Sequence, residues 1–183
     1  MRVFVPMAGL GERYRRAGYT APKPLISVGG KTMIERVIGD LSPLRPGDRW
    51  LFAINRQHDE TTPLRQELSR IAPGSEVVAV GAHRDGPVRT LLDVADRLDP
   101  DEPLLLSYCD YGVRWSLADF LAWCERGHWD AAMSAYRGFH PHSLGPTLYA
   151  YMRVDESTDT APGARVLEIR EKHHFTTDRM REY

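Results

Sequence analysis

Met7-Ala8-Gly9-Leu10-Gly11-Glu12-Arg13-Tyr14, followed by Pro22-Lys23-Pro24, is the stretch whose reading decides the fold. An apolar, strand-like run, Val3-Phe4-Val5, feeds directly into it. Gly9 and Gly11 remove the side chains that would keep a ligand's phosphates away from the backbone amides. Arg13 lies just beyond them, and Arg15 and Arg16 add further positive charge. Pro22 has its φ fixed and Pro24 pushes Lys23 into an extended conformation, so the ammonium stands on a stiff stem. Met1 to Lys31 holds six basic residues against one acidic residue, Glu12, in a chain whose formal net charge is −1. Positive charge concentrated on a glycine loop suits a polyphosphate.

Other readings of the same glycines are weaker. The dinucleotide fingerprint needs a third glycine at position 14, which is Tyr14. Gly30-Lys31-Thr32 imitates the tail of a P-loop, but the opening glycine would fall on Leu25, so Gly29-Gly30 reads as a turn before a helix. An ordinary tight turn with solvated arginines accounts for Gly9 and Gly11 alone; Arg13 and Pro-Lys-Pro favour a phosphate site.

The rest of the chain sets the frame. Its 183 residues fit one domain with a real core, and 42% hydrophobic with 27% charged residues is ordinary globular composition. Near-neutral net charge argues against a general nucleic-acid binder. Cys109 and Cys124 lack metal-type spacing, so a reduced cytoplasmic protein is expected. No run reads as a signal peptide or a membrane span.

Met33, Ile34, Val37, Ile38 and Leu41 recur at helical spacing, and Trp50–Ile54 reads as a second strand. Thr62-Pro63 starts a helix with Leu64, Leu68 and Ile71 inside, and Val77–Val80 is the next strand. A loop, Gly81–Pro87, leads into a helix expected to bury Val88, Leu91, Leu92, Ala95 and Leu98. Pro103–Tyr108 has the composition of a strand buried on both faces, ending at Cys109-Asp110. Leu117, Phe120, Leu121 and Cys124 line a further helix behind Ser116, and Ala131–Tyr136 reads as a strand. A Pro/Gly/His loop, Phe139–Pro146, precedes two strand-like runs, Thr147–Val154 and Arg165–Lys172.

This alternation predicts βαβ units and a mostly parallel sheet. Ligands of such sheets bind outside the carboxyl ends of the strands, near a switch in strand order. The glycine loop, Gly81–Pro87 and Asp110 each follow a strand and are expected on that one edge. Asp110 is a candidate Mg²⁺ ligand or a turn cap, and Cys109 beside it reads as a small buried hydrophobe. His140 with His142, and His173 with His174, read as surface histidines because no Cys or acidic cluster completes a ligand set.

The opening motif, with Ala17-Gly18-Tyr19-Thr20-Ala21 before Pro-Lys-Pro and Leu25-Ile26-Ser27-Val28-Gly29-Gly30-Lys31-Thr32-Met33-Ile34-Glu35 after it, resembles the sugar-phosphate nucleotidyltransferase family. It is most similar to the branch found in capsule and lipopolysaccharide gene clusters. The similarity is dense over residues 1–40 and recurs at Ser107–Asp110 and Val166–Lys172. It implies a three-layer α/β/α, Rossmann-like (GT-A-like) fold with a mostly parallel mixed sheet, truncated in its C-terminal strands. It also implies one domain, nucleotide-binding over about 1–126 and acceptor-binding over about 127–183.

By resemblance, Ala8, Gly9, Leu10, Gly11 and Gly86 bind an NTP, Arg13 stabilises departing pyrophosphate, Lys23 neutralises the α-phosphate, and Asp110 holds Mg²⁺. Lys172 would hold the phosphate of an attacking sugar 1-phosphate and Glu171 a sugar hydroxyl, although charge alternating on a solvated strand face also explains that pair. The implied reaction is in-line displacement giving NDP-sugar and pyrophosphate for surface-polysaccharide biosynthesis. It needs positioning and charge, not a covalent nucleophile. The partners are small molecules, with neither nucleic acid nor membrane, and a homo-oligomer is left open. Where the family often has a glutamine, this chain has Gly81-Ala82-His83, which leaves the base open. The family's second metal-binding aspartate has no counterpart at an evident strand end. Two alternatives stand beside this reading. One is a nucleotide-sugar-dependent glycosyltransferase, disfavoured because Asp110-Tyr111-Gly112 is not Asp-x-Asp; the other is a catalytically inert nucleotide-binding or regulatory remnant.

Overall fold

Strand β1 (Arg2–Met7) runs through the interior of a four-stranded parallel sheet in the computed structural model. The structure describes residues 1–127, 129–136, 138, 149–155, 157 and 163–175. The chain divides into two compact units, Met1–Leu117 and Ala118–Tyr183.

In the first unit β1 lies between β4 (Arg49–Asn55) and β6 (Leu104–Leu106), and β5 (Glu76–Val80) lies outside β4. The three pairings are all parallel, with Val5 opposite Phe52 and Phe4 opposite Leu106. Val3, Phe4, Val5, Leu51, Phe52, Ala53 and Ile54 are fully buried, the continuous apolar pattern of strands covered on both faces. Apart from Ala53, each such side chain contributes roughly 1.5–3 kcal/mol relative to exposure. Val3, Val5, Phe52 and Ile54 join one core cluster with Ile34, Val37, Leu64 and Leu68, while Phe4, Leu51 and Ala53 pack on the other face with Val80 and Val94.

The connecting elements follow the sequence closely at first. Gly29 and Gly30 both have positive φ and form the two-residue turn between β2 (Ser27–Val28) and β3 (Lys31–Thr32). Thr32 Oγ1 then accepts the Glu35 amide at 3.2 Å and caps α2 (Met33–Asp40), whose buried face is Ile34, Val37 and Ile38. A short helix, α3 (Arg56–Thr61), is additional to those read from the sequence, and α4 (Leu64–Ile71) buries Leu64 and Leu68.

Three expectations are corrected. The region after Gly86 is a short helix, α5 (Pro87–Leu92), with a separate 3₁₀ turn at Ala95–Arg97. Its buried members are Thr90 and Val94, whereas Val88 and Leu92 are 65% and 64% exposed, because the face turned to the core is that of Thr90, Leu91 and Val94. The leucine run at 104–106 is not buried on both faces: Leu105 packs on the core, but Leu104 and Leu106 are 41% and 40% exposed. Among the described strands β6 pairs with β1 alone and so forms an edge. Ala131–Tyr136 forms no strand and is exposed, since no ladder partner is present for it among the described residues.

The second unit contains α6 (Leu117–Gly127), whose first residue lies at the boundary, and an antiparallel pair, β7 (Ala150–Val154) with β8 (Val166–Glu171). Phe120, Leu121 and Cys124 are half-buried, and Trp123 lies 5.5 Å from Trp129. Tyr151 and Val154 are the buried residues of β7. The loop Phe139–Pro146, with His140 and His142, lies outside the described residues apart from the expected strand residues that follow it from Tyr149. No helix among the described residues is long and apolar enough to cross a membrane.

Asp59 and Arg65 tie α3 to α4 with two 2.8 Å bonds, and Arg65 Nη1 also donates to the Val77 carbonyl at 2.8 Å. The Arg65 hydrogen bond holds the Asp59 carboxyl below its ordinary 3.8. This contribution is present above pH 3.8 and is lost as pH falls through the depressed folded value. Asp59→Asn is expected to cost about 1 kcal/mol at pH 7. In thermal melts from pH 2.5 to 7, its deficit against the parent should close below pH 3.8.

Candidate active site

Parallel pairing puts the carboxyl ends of all four strands on one edge, and β1 and β6 flank the point where strand order switches sides. Out of β1 runs the glycine loop. Gly11 takes φ +62 as the residue before the short helix α1 (Glu12–Arg16), a left-handed conformation that favours glycine. A Cβ on Gly9 would meet nothing within 4 Å, so Gly9 leaves open approach instead of avoiding a clash. Among the described residues, the amides of Gly9 to Arg13 donate to no protein group. Five consecutive available donors are what a run of phosphate oxygens requires.

Lys23 is held beside this loop. Pro22 has φ −60, Pro24 is buried, and Lys23–Leu25 form a 3₁₀ turn closed by Leu25 N–H to Pro22 O at 2.8 Å. A Cβ on Gly11 would lie 3.8 Å from the Lys23 Cβ, and the ammonium is 5.7 Å from the centre of the Tyr14 ring. Lys23 Nζ reaches Asp110 Oδ2 at 2.6 Å, with side chains 27% and 33% exposed. Thus two residues 87 positions apart are in direct contact. Arg13 is exposed and makes no ion pair among the described residues.

Loop Gly81–Pro87 follows β5 on the same edge, and its Arg84 is ion-paired with Glu12, tying it to the glycine loop. Gly86 has φ +87 and precedes α5. His83 is occupied by its own loop and by α5. Its Nδ1 accepts the Asp85 amide at 3.3 Å, which leaves the proton on Nε2 for Thr90 Oγ1 at 2.9 Å. Neither ring nitrogen is left for a base.

Two positioning residues were missed by the sequence reading. Asn55, at the end of β4, is 1% exposed; its Nδ2 donates to the Ala8 carbonyl at 3.3 Å and its Oδ1 accepts the Gln57 amide at 2.8 Å. It therefore fastens the entrance of the glycine loop to the start of α3. Asp40, at the end of α2, accepts the Val113 amide at 3.1 Å and anchors the loop carrying Asp110. The one available signal was an Asn closing an apolar strand; nothing in the sequence pairs it with Ala8.

The electrostatics are those of a binding edge without a nucleophile. Burial pushes the Cys109 thiol up to about 12, as befits a core residue. Burial and then the Arg15 charge lower His58, keeping it neutral at pH 7. Asp110 supplies one carboxylate, and no group of three or more His, Cys, Asp or Glu side chains able to hold a metal occurs among the described residues. That donor set fits magnesium arriving with phosphate oxygens and waters, and does not fit a self-sufficient metal site. One surface depression lies at the opposite edge, around Arg2, Arg49 and Arg97, and another lies at the loop edge, around Arg56, Gly81, His83 and Asp93.

In the second unit Glu171 and Lys172 are both mostly exposed, with Lys172 Nζ 3.3 Å from Glu171 Oε1. Lys172 has φ +57, uncommon for a residue with a Cβ, and donates its amide to the Tyr149 carbonyl at 2.8 Å. His174 packs on Tyr151, with ring centres 4.1 Å apart.

Comparison with known proteins gives the same fold. The MobA-like NTP transferase domain matches residues 3–174. A nucleoside-diphosphate-sugar pyrophosphorylase from Vibrio cholerae RC9 superposes with TM-score 0.67 at 18% identity, over 95% of this chain and 68% of that one. A UDP-glucose pyrophosphorylase complexed with UDP-glucose gives 0.65 at 14%, over 94% and 68%. A CMP:2-keto-3-deoxy-manno-octonic acid synthetase complexed with CTP gives 0.59 at 16%, over 92% and 63%. The chain thus spans about two thirds of each of these structures. No curated protein matches the sequence.

Removing the Asn55 amide leaves the buried Ala8 carbonyl and the partly buried Gln57 amide without this partner. Asn55→Ala is expected to lower stability by about 1–3 kcal/mol, read from urea denaturation midpoints. Asn55→Asp keeps the acceptor for Gln57 but sets a carboxylate against the Ala8 carbonyl, and should be no better.

Proposed function

Because the chain belongs to the family of MobA-like NTP transferase domains and is a nucleotidyltransferase, we propose that it transfers NMP from an NTP to a sugar 1-phosphate, releasing pyrophosphate. One observation carries this reading. The glycine loop with its available amides, Lys23 and Asp110 converge beside the switch in strand order. The pyrophosphorylase and synthetase folds above are consistent with it.

The backbone from Ala8 to Gly11 would cradle the phosphates, with Gly86 beside the base or ribose. Arg13, exposed next to the loop, would balance charge building on departing pyrophosphate. Lys23, released to the α-phosphate, would neutralise its oxygens as the acceptor's phosphate oxygen attacks in line. Asp110 would hold Mg²⁺, which when bound supplies further neutralisation of phosphate charge. In the second unit, Lys172 and Glu171 are proposed to receive the acceptor's phosphate and a sugar hydroxyl. The left-handed backbone at Lys172 supports that role over a plain solvated strand face. The proposed setting is cytoplasmic surface-polysaccharide synthesis.

Pyrophosphate release with ATP, CTP, GTP, UTP and dTTP, each with Mg²⁺ and a panel of sugar 1-phosphates, tests the reading. One or two triphosphates are expected to support turnover and to raise the melting temperature by mass action. Arg13→Ala should lower kcat by about 10²–10³ while leaving the melting curve unchanged. Triphosphate binding without pyrophosphate release for any acceptor would exclude the sugar 1-phosphate reaction.

A further inference from the structure

The contact between Lys23 and Asp110 sets a problem for any metal that would use this carboxylate. The ammonium is 2.6 Å from Oδ2, within hydrogen-bonding distance of the oxygen that a cation would need. The backbone that carries Lys23 is fixed by the buried Pro24 and the 3₁₀ turn, and the Tyr14 ring lies 5.7 Å from the ammonium. Both side chains are partly shielded from water, so the pair is screened less than an ordinary surface ion pair. Asp110 belongs to no group of three or more His, Cys, Asp or Glu side chains able to hold a metal among the described residues. A divalent cation approaching alone therefore meets one carboxylate whose charge is already balanced by the adjacent ammonium.

We propose that Lys23 gates the metal position: its ammonium occupies the Asp110 carboxylate until nucleotide phosphates draw it away, so that the divalent cation enters with the nucleotide and not before it. The proposal rests on the nucleotide-binding reading above and adds an order of events to it. A triphosphate offers Lys23 more negative charge than one carboxylate and brings oxygen ligands that Asp110 lacks. The exchange gives Lys23 a phosphate partner and Asp110 a metal partner. Metal and nucleotide binding are then positively coupled, each tightening the other by the same factor.

Mn²⁺ uptake by the protein alone, followed by loss of the free-ion electron paramagnetic resonance signal, tests this without turnover. Because Asp110 offers one carboxylate, uptake is followed into the millimolar range, where the parent protein should bind Mn²⁺ at this position only weakly. Lys23→Met should bind Mn²⁺ alone at least about tenfold more tightly than the parent, and the gain should vanish in Lys23→Met with Asp110→Asn. Lys23→Gln keeps an uncharged polar stem and serves if the Met variant does not fold. Equal uptake by the parent and either Lys23 variant overturns the gate, as does a gain that survives Asp110→Asn. Parent thermal shift with each triphosphate is read alongside. A gain in Mn²⁺ affinity without any triphosphate shift would support a Lys23–Asp110 lock while removing the nucleotide reading. A triphosphate shift without the gain would do the reverse.

Discussion

The structure of the first unit depends on β1 being paired in parallel on both sides. Val3, Phe4 and Val5 are each fully buried, yet successive residues face opposite layers, Val3 and Val5 toward α2 and α4 and Phe4 toward Val80 and Val94. A strand in that position cannot slip by one residue without moving each of these side chains into a layer shaped for another. Its register also sets where the chain leaves the sheet. The glycine loop emerges where β1 ends, and the chain after β6 emerges beside it because Phe4 is opposite Leu106. The meeting of Lys23 with Asp110 is a consequence of that register.

Around this edge, short polar contacts do what a larger core would do elsewhere. Asn55 links Ala8 to α3, Asp40 holds Val113, and Arg84 reaches Glu12. None lies within the quoted motif except Ala8 and Glu12, yet together they constrain the loops carrying Gly9, Asp110 and Gly86. Of these the Asn55 contact is the strongest, since its polar atoms are shielded from water and each has a partner. The Arg84–Glu12 pair, largely exposed, matters more for where the two loops stand than for stability.

Much of this was legible in advance. Strand-helix alternation, the helix from Met33, the Gly29-Gly30 turn and the inert Cys109 all follow from period, turn chemistry and local composition, which act over a few residues. The misread segments share a cause. Val88–Leu98 has enough apolar residues for one helical stripe, but the segment turns Thr90, Leu91 and Val94 to the core and leaves Val88 and Leu92 outside. Leu104-Leu105-Leu106 is apolar enough for an interior strand and lies at an edge among the described strands. Composition states what a segment is able to bury and not whether a neighbour is there to cover it.

By itself, the sequence determined the parallel α/β class, the glycine loop on its first strand and the family, because these are written in contiguous residues and repeating periods. It also named Lys23 and Asp110 separately. Only the tertiary structure joined them at 2.6 Å, found Asn55 behind the loop and turned His83 inward to Thr90. Those contacts link residues on different elements, and the two nearest in sequence, His83 and Thr90, are joined through a positive-φ turn at Gly86. Residue type alone carries no record of such distances; strand order and register create them.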